Sequence, residues 1–116
     1  RPDWWKLPAM SDAAWQAVGD TIEREDTYCR GVVLLGLDAP MDDMKRGFEA
    51  AANHACCKGF TVGRTLFASA SRDWLAGRID DARLVERVAQ NYAELIKAWR
   101  QLRQAQPQTL SHTEEA

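Results

Sequence analysis

Three residues able to take part in chemistry, Lys6, Asp38 and Arg64, lie near the ends of three short apolar runs. The runs are WWKL at 4–7, GVVLLGLD at 31–38 and GFTVGRTLF at 59–67. A neutral lysine amine can add to a ketone, and the donor fork of an arginine can bind the oxygens of a phosphate. Two basic residues with glycines close by therefore indicate an anion site beside a reactive amine.

The three runs are predicted to be strands of one parallel sheet. Each is rich in β-branched, leucine or aromatic residues and is bounded by Pro, Gly or Asp. The run at 31–38 is continuously apolar, as expected of a parallel strand buried on both faces. Because ligands bind at the carboxyl ends of parallel strands, the three polar residues are expected to share one edge of the sheet.

Helical patterns fill the segments between and after these runs. Ser11 is a good N-cap for a first helix with an apolar stripe. Further helices are predicted at about 40–57, 69–77 and 80–104. The charged residues of the last helix, Arg87 and Arg103 among them, are expected to form a solvated face. The alternation of strands and helices predicts an α/β fold with a parallel sheet.

A sheet of only three strands would have two open edges and one poorly covered face. We therefore predict that the chain is the C-terminal part of a (β/α)8 TIM barrel, with the missing strands upstream. Residues 1–105 are assigned to this barrel segment. Residues 106–116 are polar and are expected to be a disordered tail.

Composition and charge exclude several classes of function. The 116 residues carry 15 basic and 17 acidic side chains, so the net charge of −2 gives no electrostatic footprint for nucleic acid. No apolar stretch approaches the length of a membrane span, and we expect a cytoplasmic protein without a membrane partner. The three cysteines do not suggest a disulfide framework, and HACC at 54–57 lacks the ligand spacing of a zinc site. We expect neither a metal nor a cofactor.

Glycines next to the polar residues favour a phosphate as the anion. Gly36 and Gly63 lack a Cβ, so a phosphate could approach the backbone N–H groups closely. Arg64 adds a fixed positive charge, and the N–H groups at the start of the helix predicted near Ser69 would complete the site. The alternative is that both glycines serve close packing at a strand end or a bulge.

Lys6 is the candidate nucleophile. Because an amine must be neutral to attack a ketone, it needs surroundings that disfavour its charge. Burial among Trp4, Trp5 and Leu7, with Arg64 across the sheet edge, would supply them. The alternative is a lysine that extends past two tryptophans into solvent.

Several long segments carry a resemblance to a known family. They are DWWKLP, CRGVVLLGLDAP, KGFTVGRTLF, SRDWLAGRIDD and VAQNYAELIKAW. Together they resemble the C-terminal part of the aldolase-like domain of bacterial myo-inositol catabolism, which is commonly fused to a 5-dehydro-2-deoxygluconokinase. The resemblance covers residues 1 to about 103 and implies strands six to eight of a class I aldolase barrel.

The resemblance also implies roles for individual residues. Lys6 would be the Schiff-base lysine at the end of the sixth strand. Backbone contacts to the substrate phosphate would fall at Gly36 and Leu37, and the Gly63–Arg64 pair would bind the same phosphate. Asp38 has no clear counterpart in the better-known relatives and is a candidate substrate contact.

The activity implied by the resemblance is the cleavage of 2-deoxy-5-keto-D-gluconate 6-phosphate to dihydroxyacetone phosphate and malonate semialdehyde. The substrate is a phosphorylated keto sugar acid, and the partners are an upstream barrel half and a fused sugar kinase domain. The segment alone is expected to lack a complete active site. Two alternatives remain open: a non-catalytic phosphosugar-binding module, and an incomplete barrel piece without activity whose open edges would give a homo-oligomer.

Overall fold

A computed structural model describes residues 1–105 as a mixed α/β fold. Its elements are, in chain order, β1 (Trp4–Leu7), α1 (Asp12–Glu25), β2 (Gly31–Leu35), α2 (Met41–Ala51), β3 (Cys57–Thr61), α3 (Arg64–Leu75) and α4 (Asp81–Gln104). The strands are parallel and lie in the order β1-β2-β3. The prediction of an α/β fold with one three-stranded parallel sheet is confirmed. The predicted tail at 106–116 lies outside the described residues.

One core joins the four helices to a single face of the sheet. Val32 and Leu34 of β2 are 0% and 1% exposed, whereas Val33 and Leu35 are only half-buried. Because side chains alternate along a strand, the first pair faces the core and the second pair faces away from it. The helices contribute Trp15 from α1, Met44 and Phe48 from α2, Leu66 from α3, and Leu95 and Trp99 from α4.

The opposite face of the sheet is uncovered by the described residues. Lys6 pairs with Val33, Val33 pairs with Gly59, and Leu35 pairs with Thr61. Lys6 and Thr61 are exposed, and a Cβ placed on Gly59 would have no neighbour within 4 Å in the described part of the chain. We call these five residues the bare face.

The start of α1 follows from its local sequence. The Ala14 N–H donates a 3.1 Å hydrogen bond to the Ser11 hydroxyl, so the predicted N-cap is confirmed. Trp15 is fully buried, and Val18 and Ile22 of the same stripe pack against the core. An N-cap and a stripe at helical spacing were sufficient signals here.

The end of β2 and the chain that follows it differ from the prediction at several boundaries. β2 ends at Leu35 rather than at 38, and α2 ends at Ala51 rather than at 57, so that Cys57 begins β3. The predicted strand at 59–67 is confirmed only at 59–61, because β3 ends at Thr61. The helix predicted to begin near 69 begins at Arg64.

Packing against α4 explains why residues 64–67 form a helix. Leu66 and Ala70, one helical turn apart, are buried, and the Asn91 side-chain amide of α4 donates a 2.9 Å hydrogen bond to the Leu66 carbonyl. The β-branched and aromatic composition of 59–67 indicated a strand. Leu66 and Ala70, however, lie on one face of a helix, and this face packs on α4.

Two arginines of α4 are attached to neighbouring elements instead of standing on a solvated face, which corrects that prediction. The Arg103 guanidinium donates 3.2 Å hydrogen bonds to the Ala52 and His54 carbonyls and a further bond to the Cys57 carbonyl. It thereby binds α4 to the connection between α2 and β3. Arg87 donates to Asp73 of α3.

Among the described helices, none is long and apolar enough to cross a membrane.

Candidate functional site

A pocket of about 430 Å³ lies at the carboxyl ends of β2 and β3. It is lined by Leu35, Gly36, Leu37, Asp38, Thr61, Val62, Gly63, Arg64 and Phe67. We call it the rim pocket. Five of the predicted site residues, those at 36–38 and 63–64, are brought together there although some 25 positions separate the two groups in the sequence.

Gly36 is required by the packing of the two loops. A Cβ at this position would lie 2.7 Å from Val62 Cγ1 and 3.3 Å from Thr65 Oγ1. The Thr65 hydroxyl donates a 2.7 Å hydrogen bond to the Ala39 carbonyl, which joins the β2–α2 loop to the first turn of α3. At Gly36, therefore, the close-packing alternative describes what the residue does in the fold.

The loop that follows Gly36 has an unusual backbone. Leu37 and Asp38 have φ angles of 51° and 65°, in the left-handed region that non-glycine residues seldom adopt. A hydrogen bond of 3.0 Å from the Ala39 N–H to the Gly36 carbonyl closes this turn. Two consecutive residues in this region store backbone strain, which is a feature of ligand-binding and catalytic loops.

Asp38 and Arg64 face each other across the rim pocket. Asp38 Oδ2 lies 3.9 Å from Arg64 Nη1, and both side chains are more than half exposed, at 53% and 63%. An exposed pair at this distance contributes little to stability. Both groups are therefore free to exchange this contact for a contact with a ligand.

The first turn of α3 contributes backbone donors beside Arg64. Gly63 is the N-cap residue and makes no side-chain capping bond, because it has no side chain to make one. The Leu66 N–H of this turn donates a 2.8 Å hydrogen bond to the Gly63 carbonyl. The N–H groups of Arg64 and Thr65 have no carbonyl partner inside the helix, so they carry a partial positive charge. Together with the guanidinium, this turn can bind an anion.

Ser69 does not belong to this arrangement. It lies in the middle of α3 and is not among the residues that line the rim pocket. Its hydroxyl accepts a 3.2 Å hydrogen bond from Arg87. The prediction that a helix begins near Ser69 and binds phosphate through its first N–H groups is corrected, because the helix begins five residues earlier, at Arg64.

Lys6 lies on the bare face and outside the rim pocket. Its partner Val33 comes three residues before Gly36, which is about 10 Å along a strand. Lys6 is exposed, and its neighbours Trp4 and Trp5 are 45% and 44% exposed. The predicted burial of the amine among the tryptophans is wrong for the described residues, since no other element covers this face.

Other reactive side chains lie away from the pocket. The pKa of the Cys56 and Cys57 thiols is raised by burial, so both stay protonated and weakly nucleophilic at neutral pH. Hydrogen bonding with His54, at 2.8 Å, and with Asn53 holds the pKa of Asp12 below its usual range. Within residues 1–105, no three His, Cys, Asp or Glu side chains are grouped so that they could hold a metal ion.

Sequence reasoning missed Thr61, Thr65 and Phe67, of which the first and last line the rim pocket and the second braces it. All three fall inside the run that was predicted to be a strand. Gly63 was the available signal: a glycine inside an apolar run can mark a loop between a strand and a helix, and as an N-cap residue it leaves the first helical turn without a side-chain cap.

Comparison with known proteins identifies a family without assigning a reaction. The family described as "Uncharacterized protein conserved in bacteria (DUF2090)" matches residues 1–103. No curated protein and no solved structure matches the chain.

Proposed function

We propose that this chain, which belongs to the bacterial DUF2090 family, forms the phosphate-binding and Schiff-base part of a class I aldolase. The observation that carries the proposal is the rim pocket, where Arg64 and the first turn of α3 meet the strained loop at 37–38. This is where ligands bind in parallel α/β folds, and the guanidinium together with the N–H groups of Arg64 and Thr65 suits a phosphate.

The distribution of the helices supports a barrel segment as the finer fold. Consecutive strands lie side by side, and the one core lies on one face of the sheet. In a doubly wound fold the strand order reverses and helices cover both faces, whereas in a barrel all helices lie outside. In the proposed barrel the bare face is the interior and the two open edges join strands from the upstream half.

In the proposed mechanism the Lys6 amine adds to the C5 ketone of 2-deoxy-5-keto-D-gluconate 6-phosphate, and water leaves as the iminium forms. A base from the upstream half removes the proton of the C3 hydroxyl. The electrons of the C3–C4 bond then move into the iminium, and malonate semialdehyde leaves. Protonation of the enamine at C4 and hydrolysis release dihydroxyacetone phosphate and restore the amine.

The positions of Lys6 and Arg64 suit a mechanism in which Lys6 reacts with the ketone and Arg64 binds the phosphate. The amine projects from the bare face, which the upstream strands of the proposed barrel would cover. The phosphate would be held at the sheet edge by Arg64. Binding energy from the phosphate, which does not react, would then position the ketone against the lysine.

A second candidate is a phosphosugar-binding module without catalysis. The exposure of Lys6 and its absence from the rim pocket favour this candidate, because binding at Arg64 needs nothing from the amine. Calorimetry distinguishes the two. Tight binding of a phosphosugar that is unaffected by Lys6→Met, with no turnover in the unsubstituted protein, identifies a binding module.

The decisive test is borohydride trapping with dihydroxyacetone phosphate in the full gene product, followed by peptide mass mapping. The aldolase proposal expects a reduced adduct on the peptide that contains Lys6, and loss of the adduct and of cleavage activity in Lys6→Arg. Lys58→Arg is the matched control, because Lys58 is also exposed but lies at the amino end of β3. Full cleavage activity in Lys6→Arg would refute the mechanism.

A further inference from the structure

We propose that Asp38 makes the rim pocket selective for ligands that place an O–H donor next to the anionic oxygens bound by Arg64. This inference rests on the proposed phosphate site and assigns a role to a residue that the aldolase resemblance leaves without one. The ligand class that follows is a phosphate that carries a proton, or a phosphate ester with a hydroxyl group nearby. Both offer the same chemistry, a donor beside an anion.

The backbone holds the Asp38 carboxylate at the pocket. The left-handed turn at Leu37 and Asp38 is closed by the hydrogen bond between Ala39 and Gly36. The Thr65 hydroxyl anchors the same loop to the first turn of α3, which carries Arg64. The main chain on either side of Asp38 is thus held by hydrogen bonds at Gly36 and Ala39, and the weak 3.9 Å ion pair is not needed to keep Asp38 near Arg64.

The charges of the pocket lining explain the selectivity. Arg64 and Asp38 are the charged side chains among the residues that line it, so the lining as a whole is close to neutral. A carboxylate only accepts hydrogen bonds. An oxyanion without a proton that binds Arg64 in this position, 3.9 Å from Asp38 Oδ2, therefore places a lone pair near the carboxylate, and like charges at close range repel. A ligand O–H turns this repulsion into a charge-assisted hydrogen bond.

The backbone geometry indicates the variant for the test. Asparagine and aspartate are the non-glycine residues that most readily adopt a positive φ, so Asp38→Asn removes the charge without altering the turn. Asp38→Gly is a second variant that also tolerates this backbone and removes the carboxylate completely. Glu49→Gln is the matched control, since Glu49 is an exposed carboxylate of α2 outside the pocket lining.

The experiment compares two pairs of ligands by calorimetry in the full gene product at about pH 8, where a phosphate monoester has lost its second proton. Inorganic phosphate and sulfate have the same charge there, but only phosphate retains a proton. Glycerol 3-phosphate and propyl phosphate differ only in the hydroxyl groups of the ester. In the unsubstituted protein we expect about a tenfold preference for the donor-bearing member of at least one pair. In both Asp38 variants that preference should fall to near unity.

Each outcome has a definite meaning. If the preference for phosphate over sulfate disappears in both Asp38 variants, the donor is the proton of phosphate. If the preference for glycerol 3-phosphate over propyl phosphate disappears in both variants, the donor is a ligand hydroxyl. If the ligands bind but neither preference exists, or if it survives in both variants, the role of Asp38 is wrong and the phosphate site stands. If none of the four ligands binds the unsubstituted protein, the proposed phosphate site is wrong as well.

Discussion

Arg87 of α4 donates a 2.6 Å hydrogen bond from Nη1 to Oδ2 of Asp73 on α3. Arg78, in the connection between the two helices, donates to the other oxygen of the same carboxylate at 2.9 Å. Hydrogen bonding to Arg87 and then to Arg78 holds the pKa of Asp73 below its usual range. Because α3 begins at the rim pocket, this contact fixes the helix that carries Arg64.

The lowered pKa of Asp73 predicts a specific dependence of stability on pH. The ionised carboxylate stabilises the folded state at pH values above its ordinary pKa of 3.8, and this contribution is lost as the pH falls through the lower value of the folded state. Asp73→Asn should therefore reduce the urea midpoint at pH 7 and have a progressively smaller effect below about pH 4. Asp42→Asn, an exposed carboxylate of α2, is the control. An effect of Asp73→Asn that is equal at pH 7 and at pH 2 would contradict this account.

Arg103 is predicted to be important for stability although it lies near the end of α4. Its hydrogen bonds to the carbonyls of Ala52, His54 and Cys57 hold the helix to the connection that leads into β3. Arg103→Leu should lower the free energy of unfolding by about 2–3 kcal/mol, measured by urea denaturation, because three partly buried carbonyls lose a charged donor. The free energy of unfolding of Arg103→Lys should lie between those of the unsubstituted protein and Arg103→Leu, since an ammonium cannot reach three acceptors with the geometry of a guanidinium. Arg100→Leu, on the exposed side of the same turn, should change little.

Two glycine-to-alanine substitutions are predicted to have opposite effects. Gly36→Ala places a Cβ 2.7 Å from Val62 Cγ1 and should destabilise the fold by about 1–3 kcal/mol through overpacking. Gly19→Ala lies inside α1, where the nearest atom to the new Cβ is Cys56 Sγ at 3.4 Å. It should stabilise the fold by about 0.5–1 kcal/mol, because alanine loses less backbone entropy than glycine in a helix. Thermal unfolding of both variants measures the difference, and a stabilising Gly36→Ala would show that the loops at the rim can separate.

Arg64 is predicted to supply much of the affinity of the rim pocket for phosphate. Arg64→Met should weaken the binding of inorganic phosphate about tenfold or more, because a charge-assisted donor fork is lost. Arg72→Met removes the same charge from the exposed last turn of α3 and should leave the binding unchanged. Calorimetry in the full gene product measures both. Equal losses in the two variants would mean that phosphate responds only to the net charge of the surface.

Part of the lining of the rim pocket could be predicted because strand ends can be recognised from the sequence. Glycines and charged residues after an apolar run mark the carboxyl end of a parallel strand, and this was sufficient to select Gly36, Asp38, Gly63 and Arg64. The placement of Ser69 failed because the run at 59–67 contains both a strand and the start of a helix. The preference for strand or helix at 64–67 is decided by α4, which lies about 25 residues away in the sequence.

The sequence by itself determined the elements whose signals are local. The Ser11 cap and the stripe from Trp15 to Ile22 specify α1, and the apolar run that begins at Gly31 specifies β2, since hydrogen bonding and side-chain periodicity act within a few residues. Only the tertiary structure decided that α3 begins at Arg64, that Asp38 faces Arg64, and that Lys6 stands on the bare face of the sheet. These features depend on which residues, distant in the sequence, share a surface after folding, and local propensity carries no information about such contacts.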